Sequence, residues 1–302
     1  MQTDKTFNNY MVRGTAADGD LMYFSVDSTK LVAEAGKIHG LSPLSTVVLG
    51  RTLTAAALMG QELKGDNETV TVRIKGNGPA GTVLAVSNSC SEVKGYIDNT
   101  ELELPPNAEG KFDVAGAVGR EGTLAVIRDL GLKEPCVGQV ELISGEIAED
   151  FAYYYAMSQQ TPSIVALGVL IDKDLTVKHA GGFMVQVLPG ARKETVDALE
   201  GLIAGFPPVT YLMEQGFDAG QIMDLLLGRL GFCHTAETSA EYRCGCSRER
   251  MAVKLLTIGK KELESLINDD QDTPIELVCQ FCGAKYAFPK DELRKMCGEA
   301  FT

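Results

Sequence analysis

The chain has 302 residues, of which 45% are hydrophobic and 23% are charged, and its formal net charge is −13. This composition is that of a globular protein long enough for two or three domains. The negative charge argues against a nucleic-acid partner, because binding to phosphates relies on clustered Lys and Arg. No basic stretch followed by an apolar one begins the chain, and its longest apolar run is interrupted by Arg51. We therefore expect no membrane partner and a cytoplasmic location.

The first 190 residues are predicted to form an α+β domain with a mostly antiparallel sheet. An apolar strand at 20–26 is followed by a helix over 28–39, with Asp27 as its cap. Ser42 followed by Pro43 predicts the start of a second helix, which extends to about residue 63 and, being apolar on most sides, is expected to be buried. Further segments with strand-like alternation lie at 69–76, 81–88, 93–99, 122–129, 138–145, 163–172 and 181–189, and an aromatic-rich helix lies at 146–160.

Residues 191–238 are predicted to form a helical linker, and Pro189 with Gly190 marks its boundary with the first domain. Two stretches have apolar residues at helical spacing, and Asp218 with Gln221 forms a capping-box pattern at the start of the second stretch. Because the predicted helices are short and interrupted, they need a surface on which to pack.

The last predicted domain, residues 239–302, contains two close cysteine pairs. Cys244 and Cys246 form a C-x-C motif, and Cys279 and Cys282 form a C-x-x-C motif that a glycine follows. Zinc prefers four soft ligands in a tetrahedron, and two pairs on separate loops supply them with little chain to order. In a reducing cytosol, clustered cysteines are more often metal ligands or redox-active groups than structural disulfides. We therefore predict a small four-cysteine zinc domain that binds one Zn²⁺ per chain.

The residues around the cysteines predict the rest of this domain. They indicate a helix with Met251 and Leu255 on one face, a second helix after Gly259, short strands at 274–278 and 285–288, and a terminal helix. Three arginines lie beside the first cysteine pair: Arg243, Arg248 and Arg250. Nearby cations lower the pKa of thiols. The alternative is that these arginines only solvate the start of a helix.

These motifs are also compatible with other interpretations. The cysteines could form two unrelated buried pairs, and His234 could replace one of them as a metal ligand. The C-x-x-C motif also occurs in thioredoxin-like enzymes, but there it opens a helix, whereas strand-like residues follow it here. Segment 76–81 matches G-x-G-x-x-G, but a strand rather than a helix follows, which favours a hairpin turn over a phosphate site. No nucleophile with a partnering histidine is visible, so we predict that the chain is not an enzyme and has no catalytic residues.

Zinc in this segment is expected to act as a structural switch. A segment of about 60 residues buries too little apolar surface to be stable alone. Structural zinc contributes roughly 10–16 kcal/mol of apparent folding free energy in small metal-folded peptides, against a total stability of about 5–15 kcal/mol for a typical domain. We therefore expect the segment to be folded with zinc and largely unfolded without it. Oxidation of the ligands would remove them from the metal, release the linker helices and expose apolar surface.

Two further segments, IKGNGPAG at 74–81 and GGFMVQVLPGA at 181–191, accompany the cysteine motifs. Together these motifs resemble the bacterial thirty-three-kilodalton chaperonin family of redox-regulated heat-shock holdases, and the resemblance covers the whole chain. The resemblance implies a cytoplasmic, ATP-independent chaperone for unfolded client proteins that is zinc-bound and inactive when reduced. It implies that oxidation ejects zinc, unfolds the linker and favours a homodimer. The disulfides that it implies are Cys244–Cys246 and Cys279–Cys282.

The remaining cysteines lie outside the family motifs, and the sequence leaves their role open: Cys90, Cys136, Cys233 and Cys297. The sequence thus predicts an oxidant-activated holdase that protects unfolding proteins under oxidative stress. The alternative that it leaves open is a zinc-ribbon adaptor that binds a folded protein partner constitutively.

Overall fold

The computed structural model of the chain describes residues 9–268 and 273–300, with side chains as far as Cys297. The chain divides into two structural units, Met1–Arg243 and Cys244–Thr302. The strands of the first unit are β1 (Tyr10–Ala16), β2 (Leu21–Asp27), β3 (Thr69–Gly76), β4 (Thr82–Asn88), β5 (Glu92–Ile97), β6 (Gly122–Asp129), β7 (Cys136–Glu141), β8 (Ser163–Ile171), β9 (Val177–Val187), β10 (Phe232–Ser239) and β11 (Glu241–Tyr242). Its helices are α1 (Thr29–His39), α2 (Pro43–Gly60), α3 (Val114–Val118), α4 (Ala148–Met157), α5 (Lys193–Ile203), α6 (Val209–Glu214) and α7 (Ala219–Leu227).

Two sheets form the framework of the first unit. One has the strand order β10-β1-β2-β9-β8 and is antiparallel throughout. The other has the order β11-β5-β4-β3-β6-β7 and is antiparallel except where β11 runs parallel to β5. The predicted α+β class with a mostly antiparallel sheet is confirmed. Segment 76–81 is a turn that leads into β4, as its sequence context predicts.

Helix α2 packs between these sheets, against β4 and β5 of one and β8 and β9 of the other. Its sequence is apolar on nearly every side, and nearly all of its residues are buried, as predicted. The predicted cap is also present, because the Ser42 hydroxyl accepts a hydrogen bond from the Ser45 backbone N–H at 3.3 Å. Arg51 interrupts the apolar run, and its guanidinium pairs with Glu146 at 2.8 Å.

Strand β1 was not predicted from the sequence, although it lies inside its sheet between β10 and β2. Gly14 interrupts the apolar alternation, and glycine weakens a strand pattern. The neighbouring strands explain this glycine, because a Cβ at this position would lie 2.1 Å from the Cys233 backbone oxygen and 2.4 Å from the Tyr23 hydroxyl. Pairing with both neighbours, rather than local propensity, therefore makes this segment a strand.

Helix α6 was likewise not predicted.

Helices α5, α6 and α7 cover one face of the five-stranded sheet. They bury Leu199, Leu212 and Ile222 against Tyr23 and Phe183 of that sheet. The capping box predicted at the start of α7 is confirmed, with hydrogen bonds of 2.8 and 2.9 Å between Asp218 and Gln221. Strand β10 follows these helices and pairs with β1. The domain boundaries inferred from the sequence at residues 190 and 238 stay predictions.

The second unit contains α8 (Arg248–Leu256), α9 (Lys260–Ile267), the hairpin of β12 (Ile275–Val278) and β13 (Lys285–Phe288), and α10 (Lys290–Ala300). This is the predicted order, and Gly259, with a φ of 99°, separates α8 from α9 as expected. Its buried residues form one cluster: Met251, Leu255, Leu263, Ile267, Cys279, Phe288, Leu293 and Cys297. One predicted metal ligand, Cys279, is thus part of the hydrophobic core of this unit.

Candidate metal centre

The first cysteine pair lies on the loop that precedes α8. Ser247 caps this helix, since its hydroxyl accepts a hydrogen bond from the Arg250 backbone N–H at 3.3 Å. The Arg250 guanidinium donates to the backbone oxygen of Gly245, between the two cysteines, at 2.6 Å. The helix start therefore fixes the loop that carries Cys244 and Cys246.

The second pair lies in the turn between β12 and β13. The Cys279 backbone N–H donates to the Ala284 oxygen at 2.9 Å, and the Gly283 N–H donates to the Cys279 oxygen at 2.8 Å. Gly283 has a φ of 69°, a left-handed conformation that glycine adopts without steric cost. These hydrogen bonds close a tight knuckle that points Cys279 and Cys282 in one direction.

The four sulfur atoms of the two pairs come together in one cluster. All lie within 4.8 Å of one another. The Cys244 and Cys279 sulfurs are 3.7 Å apart, and the Cys246 and Cys282 sulfurs are 3.3 Å apart. A tetrahedral zinc ion with Zn–S bonds of about 2.3 Å would place its sulfurs about 3.8 Å apart. The donor set and its spacing therefore fit a metal ion, and zinc above all.

Tyr286 on β13 is a member of this site that the sequence analysis missed. Its hydroxyl lies 3.1 Å from the Cys246 sulfur. The hydrogen bond from Tyr286, with smaller contributions from the other three thiols, lowers the pKa of the Cys246 thiol to about 7. The same hydrogen bond, together with burial, raises the pKa of Tyr286 to about 12. Burial raises the pKa of Cys282 to about 12 and also raises that of Cys244. The only sequence signal for Tyr286 was its place in a short strand soon after the C-x-x-C motif.

The three arginines near the first pair bind other groups. Arg243 pairs with Glu92 at 2.6 Å within the first unit. Arg248 forms two hydrogen bonds of 2.6 Å with the Glu292 carboxylate and lies over the Phe288 ring, with 4.6 Å between its central carbon and the ring centroid. Arg248 therefore joins α8 to α10 and β13. Its charge is paired with a carboxylate and not directed at the thiols.

The remaining candidates lie outside the four-cysteine cluster. His234 lies on β10, where its Nδ1 forms a 2.8 Å hydrogen bond with the Tyr23 hydroxyl. Within residues 9–268 and 273–300, the group of His, Cys, Asp and Glu side chains spaced to hold a metal consists of the four cysteines and does not include His234. The other cysteines are also free thiols, three of them exposed and one buried: Cys90, Cys136, Cys233 and Cys297. None of the described helices is long and apolar enough to cross a membrane.

Comparison with known proteins gives consistent matches over nearly the whole chain. A family model described as "Hsp33 protein" matches residues 9–289. The "33 kDa chaperonin" of Acetivibrio thermocellus is 46% identical over 288 residues, covering 95% of this chain and 96% of that protein. The protein of the same name from Enterococcus faecalis is 44% identical over 292 residues, covering 97% of each.

A crystal structure gives the same result. The 33 kDa chaperonin of Thermotoga maritima matches with a TM-score of 0.87 and 40% sequence identity, covering 97% of this chain and 99% of that one. That protein is described as a heat shock protein 33 homologue. The similarity therefore extends to the arrangement of the elements as well as to the sequence.

Proposed function

The chain belongs to the Hsp33 protein family, and we propose that it is a redox-regulated, ATP-independent holdase chaperone. In this proposal it works in the cytoplasm without catalysing a reaction, and it binds unfolded or partly unfolded client proteins under oxidative stress. The observation that carries the proposal is the cluster of four thiols within 4.8 Å of one another in the second unit. Such a cluster can bind a metal when reduced and loses that ability when oxidised.

We assign one Zn²⁺ per chain to Cys244, Cys246, Cys279 and Cys282 in the reduced, inactive state. Bound zinc would cross-link the loop before α8 to the β12–β13 knuckle. The Tyr286 hydroxyl would donate its hydrogen bond to the Cys246 thiolate and hold it in its charged form. The small core of the second unit supports a structural role for the metal, since the eight buried residues that the structure describes there include Cys279, one of the proposed ligands.

Oxidation is proposed to form the disulfides Cys244–Cys246 and Cys279–Cys282. In each, two thiols lose two protons and two electrons to an oxidant such as hydrogen peroxide, which is reduced to water. A sulfur used in a disulfide no longer binds zinc as a thiolate. The ligand set is then lost, and with it the free energy that keeps the second unit folded.

The proposed consequence is that the predicted linker, residues 191–238, loosens and exposes apolar surface. Its last strand, β10, continues through β11 into Cys244, so unfolding that begins at the cysteines reaches this segment first along the chain. The faces of α5, α6 and α7 that cover Tyr23 and Phe183 are the apolar surfaces that such loosening would expose. The oxidised chain is proposed to form a homodimer.

Light scattering of an aggregating client enzyme tests this function. We expect protection by protein treated with peroxide at mildly raised temperature, little protection by the reduced, zinc-loaded protein, and loss of protection after reduction. Zinc release and free thiols should be measured in the same samples. A Cys90→Ser variant is the matched control, because Cys90 is exposed and outside the cluster, and it should switch normally. Equal protection by the reduced form would refute the switch, and protection by neither form would favour the constitutive adaptor.

A further inference from the structure

A cavity of about 480 Å³ lies in the first unit. It is open to solvent on one side and is lined by strands β1, β2 and β9, by the segment after α2, and by side chains of β6, α4 and β10. This volume is within the range of about 300–1,000 Å³ that small-molecule sites occupy. Part of its lining is apolar and comes from Met22, Phe24 and Leu63.

Glu62 is the centre of a polar network in the cavity. Its carboxylate accepts hydrogen bonds from the Arg128 guanidinium at 2.6 Å, the Tyr155 hydroxyl at 2.7 Å and the Gln186 amide at 2.7 Å. Tyr155 and Gln186 are buried. The negative charge of Glu62 is therefore compensated, and the network holds Arg128 in a fixed position.

The cavity carries more positive charge than this network uses. The Arg128 side chain is only 22% exposed, and among the described residues its hydrogen-bond partner is Glu62, which occupies one of its five N–H groups. Arg13 and Lys64 also line the cavity, and Arg13 is held at its wall by a 3.1 Å hydrogen bond to the Gln61 backbone oxygen. Three cations thus face one carboxylate.

A purely structural role explains only part of this arrangement. The pair of Glu62 and Arg128 joins the end of α2 to β6, and such a link requires no further cation. The unused N–H groups of this partly buried arginine, beside two more cations and an apolar wall, suit an anionic group with an apolar body. We propose that this cavity binds a small organic anion, with its carboxylate or phosphate group on Arg13, Lys64 and Arg128.

The test is an NMR titration of the reduced, zinc-loaded, full-length protein at constant ionic strength. Phenyl phosphate and benzoate serve as separate probes, and benzyl alcohol is the neutral control. We expect saturable shifts of cavity residues with at least one anion and not with benzyl alcohol. The anion that binds more tightly identifies the preferred head group. This site does not depend on the proposed redox function, and the titration needs no chaperone assay.

An Arg13→Gln variant should raise the Kd roughly tenfold or more, because it removes one charge-assisted hydrogen bond. Arg13 is exposed, so this substitution should leave the fold intact. The matched control is Arg73→Gln, which removes an equal charge from an exposed position on β3 that does not line the cavity, and it should leave the Kd unchanged. The proposal is overturned if neither anion gives saturable shifts, if benzyl alcohol binds equally well, or if Arg13→Gln binds like the unaltered protein.

Discussion

The hydrogen bond between Tyr286 and Cys246 should contribute measurably to zinc affinity. A Tyr286→Phe substitution removes the hydroxyl that lies 3.1 Å from the Cys246 sulfur and keeps the ring, which packs against the core of the second unit. Without this donor, the Cys246 thiolate loses a partner that stabilises its charged, metal-binding form. Zinc affinity should therefore fall while the packing of the unit is preserved.

The size of the effect can be bounded from the site. The thiol pKa of Cys246 is lowered from an ordinary value of 9.0 to about 7, a net preference for the thiolate of about 100-fold to which the Tyr286 hydrogen bond contributes most and which burial opposes. Loss of a group that supports a metal ligand typically costs 10–100-fold in affinity. We therefore expect Tyr286→Phe to lower zinc affinity by roughly tenfold or more, but by less than about 100-fold.

Competition with a chromophoric zinc chelator under reducing conditions measures this change. Tyr211→Phe is the matched control, because Tyr211 is an exposed tyrosine on α6 of the first unit. The Tyr211→Phe variant should bind zinc as tightly as the unaltered protein. Circular dichroism of the zinc-loaded forms checks that both variants are folded. If Tyr286→Phe binds zinc as tightly as the control, the hydroxyl does not stabilise the thiolate and the reasoning fails.

Three further predictions follow from the same structure. A Cys282→Ser variant should lose zinc and become more sensitive to proteases within 191–238, whereas Cys90→Ser should keep its zinc; normal zinc content by atomic absorption would remove Cys282 from the ligand set. Zinc affinity should fall as pH falls, because the raised pKa values of Cys244 and Cys282 mean that zinc must displace their protons. Chelator competition between pH 6 and 8.5 measures the zinc affinity, and an affinity that does not change with pH would contradict the prediction. Leu226→Ala should lower the free energy of unfolding by about 2–5 kcal/mol, because removing this buried side chain of α7 leaves a cavity against the sheet. Urea unfolding measures the change, with Leu225→Ala, at an exposed neighbouring position, as the control. Equal unfolding midpoints for the two variants would show that the packing of Leu226 contributes little.

Short-range signals in the sequence were sufficient for much of the fold. The caps at Ser42 and Asp218 depend on side chains that bond to backbone groups three residues away, so the local sequence contains the whole interaction. Period-two alternation predicted the strands around 69–76 for the same reason, because alternate side chains point to opposite faces of a sheet. The spacing of the two cysteine motifs was likewise enough to predict a set of four metal ligands.

The tertiary structure alone decided features that join distant parts of the chain. Strand β1 exists because β2 and β10 pair with it, and its register places Gly14 opposite His234, far along the chain. Tyr286 reaches Cys246 across 40 residues, and the cavity lined by Arg13 and Thr235 combines β1 with β10. Such contacts depend on how the chain folds back on itself, which no window of neighbouring residues encodes. The sequence by itself therefore determined which residues could bind a metal, and the tertiary structure determined which side chains surround them.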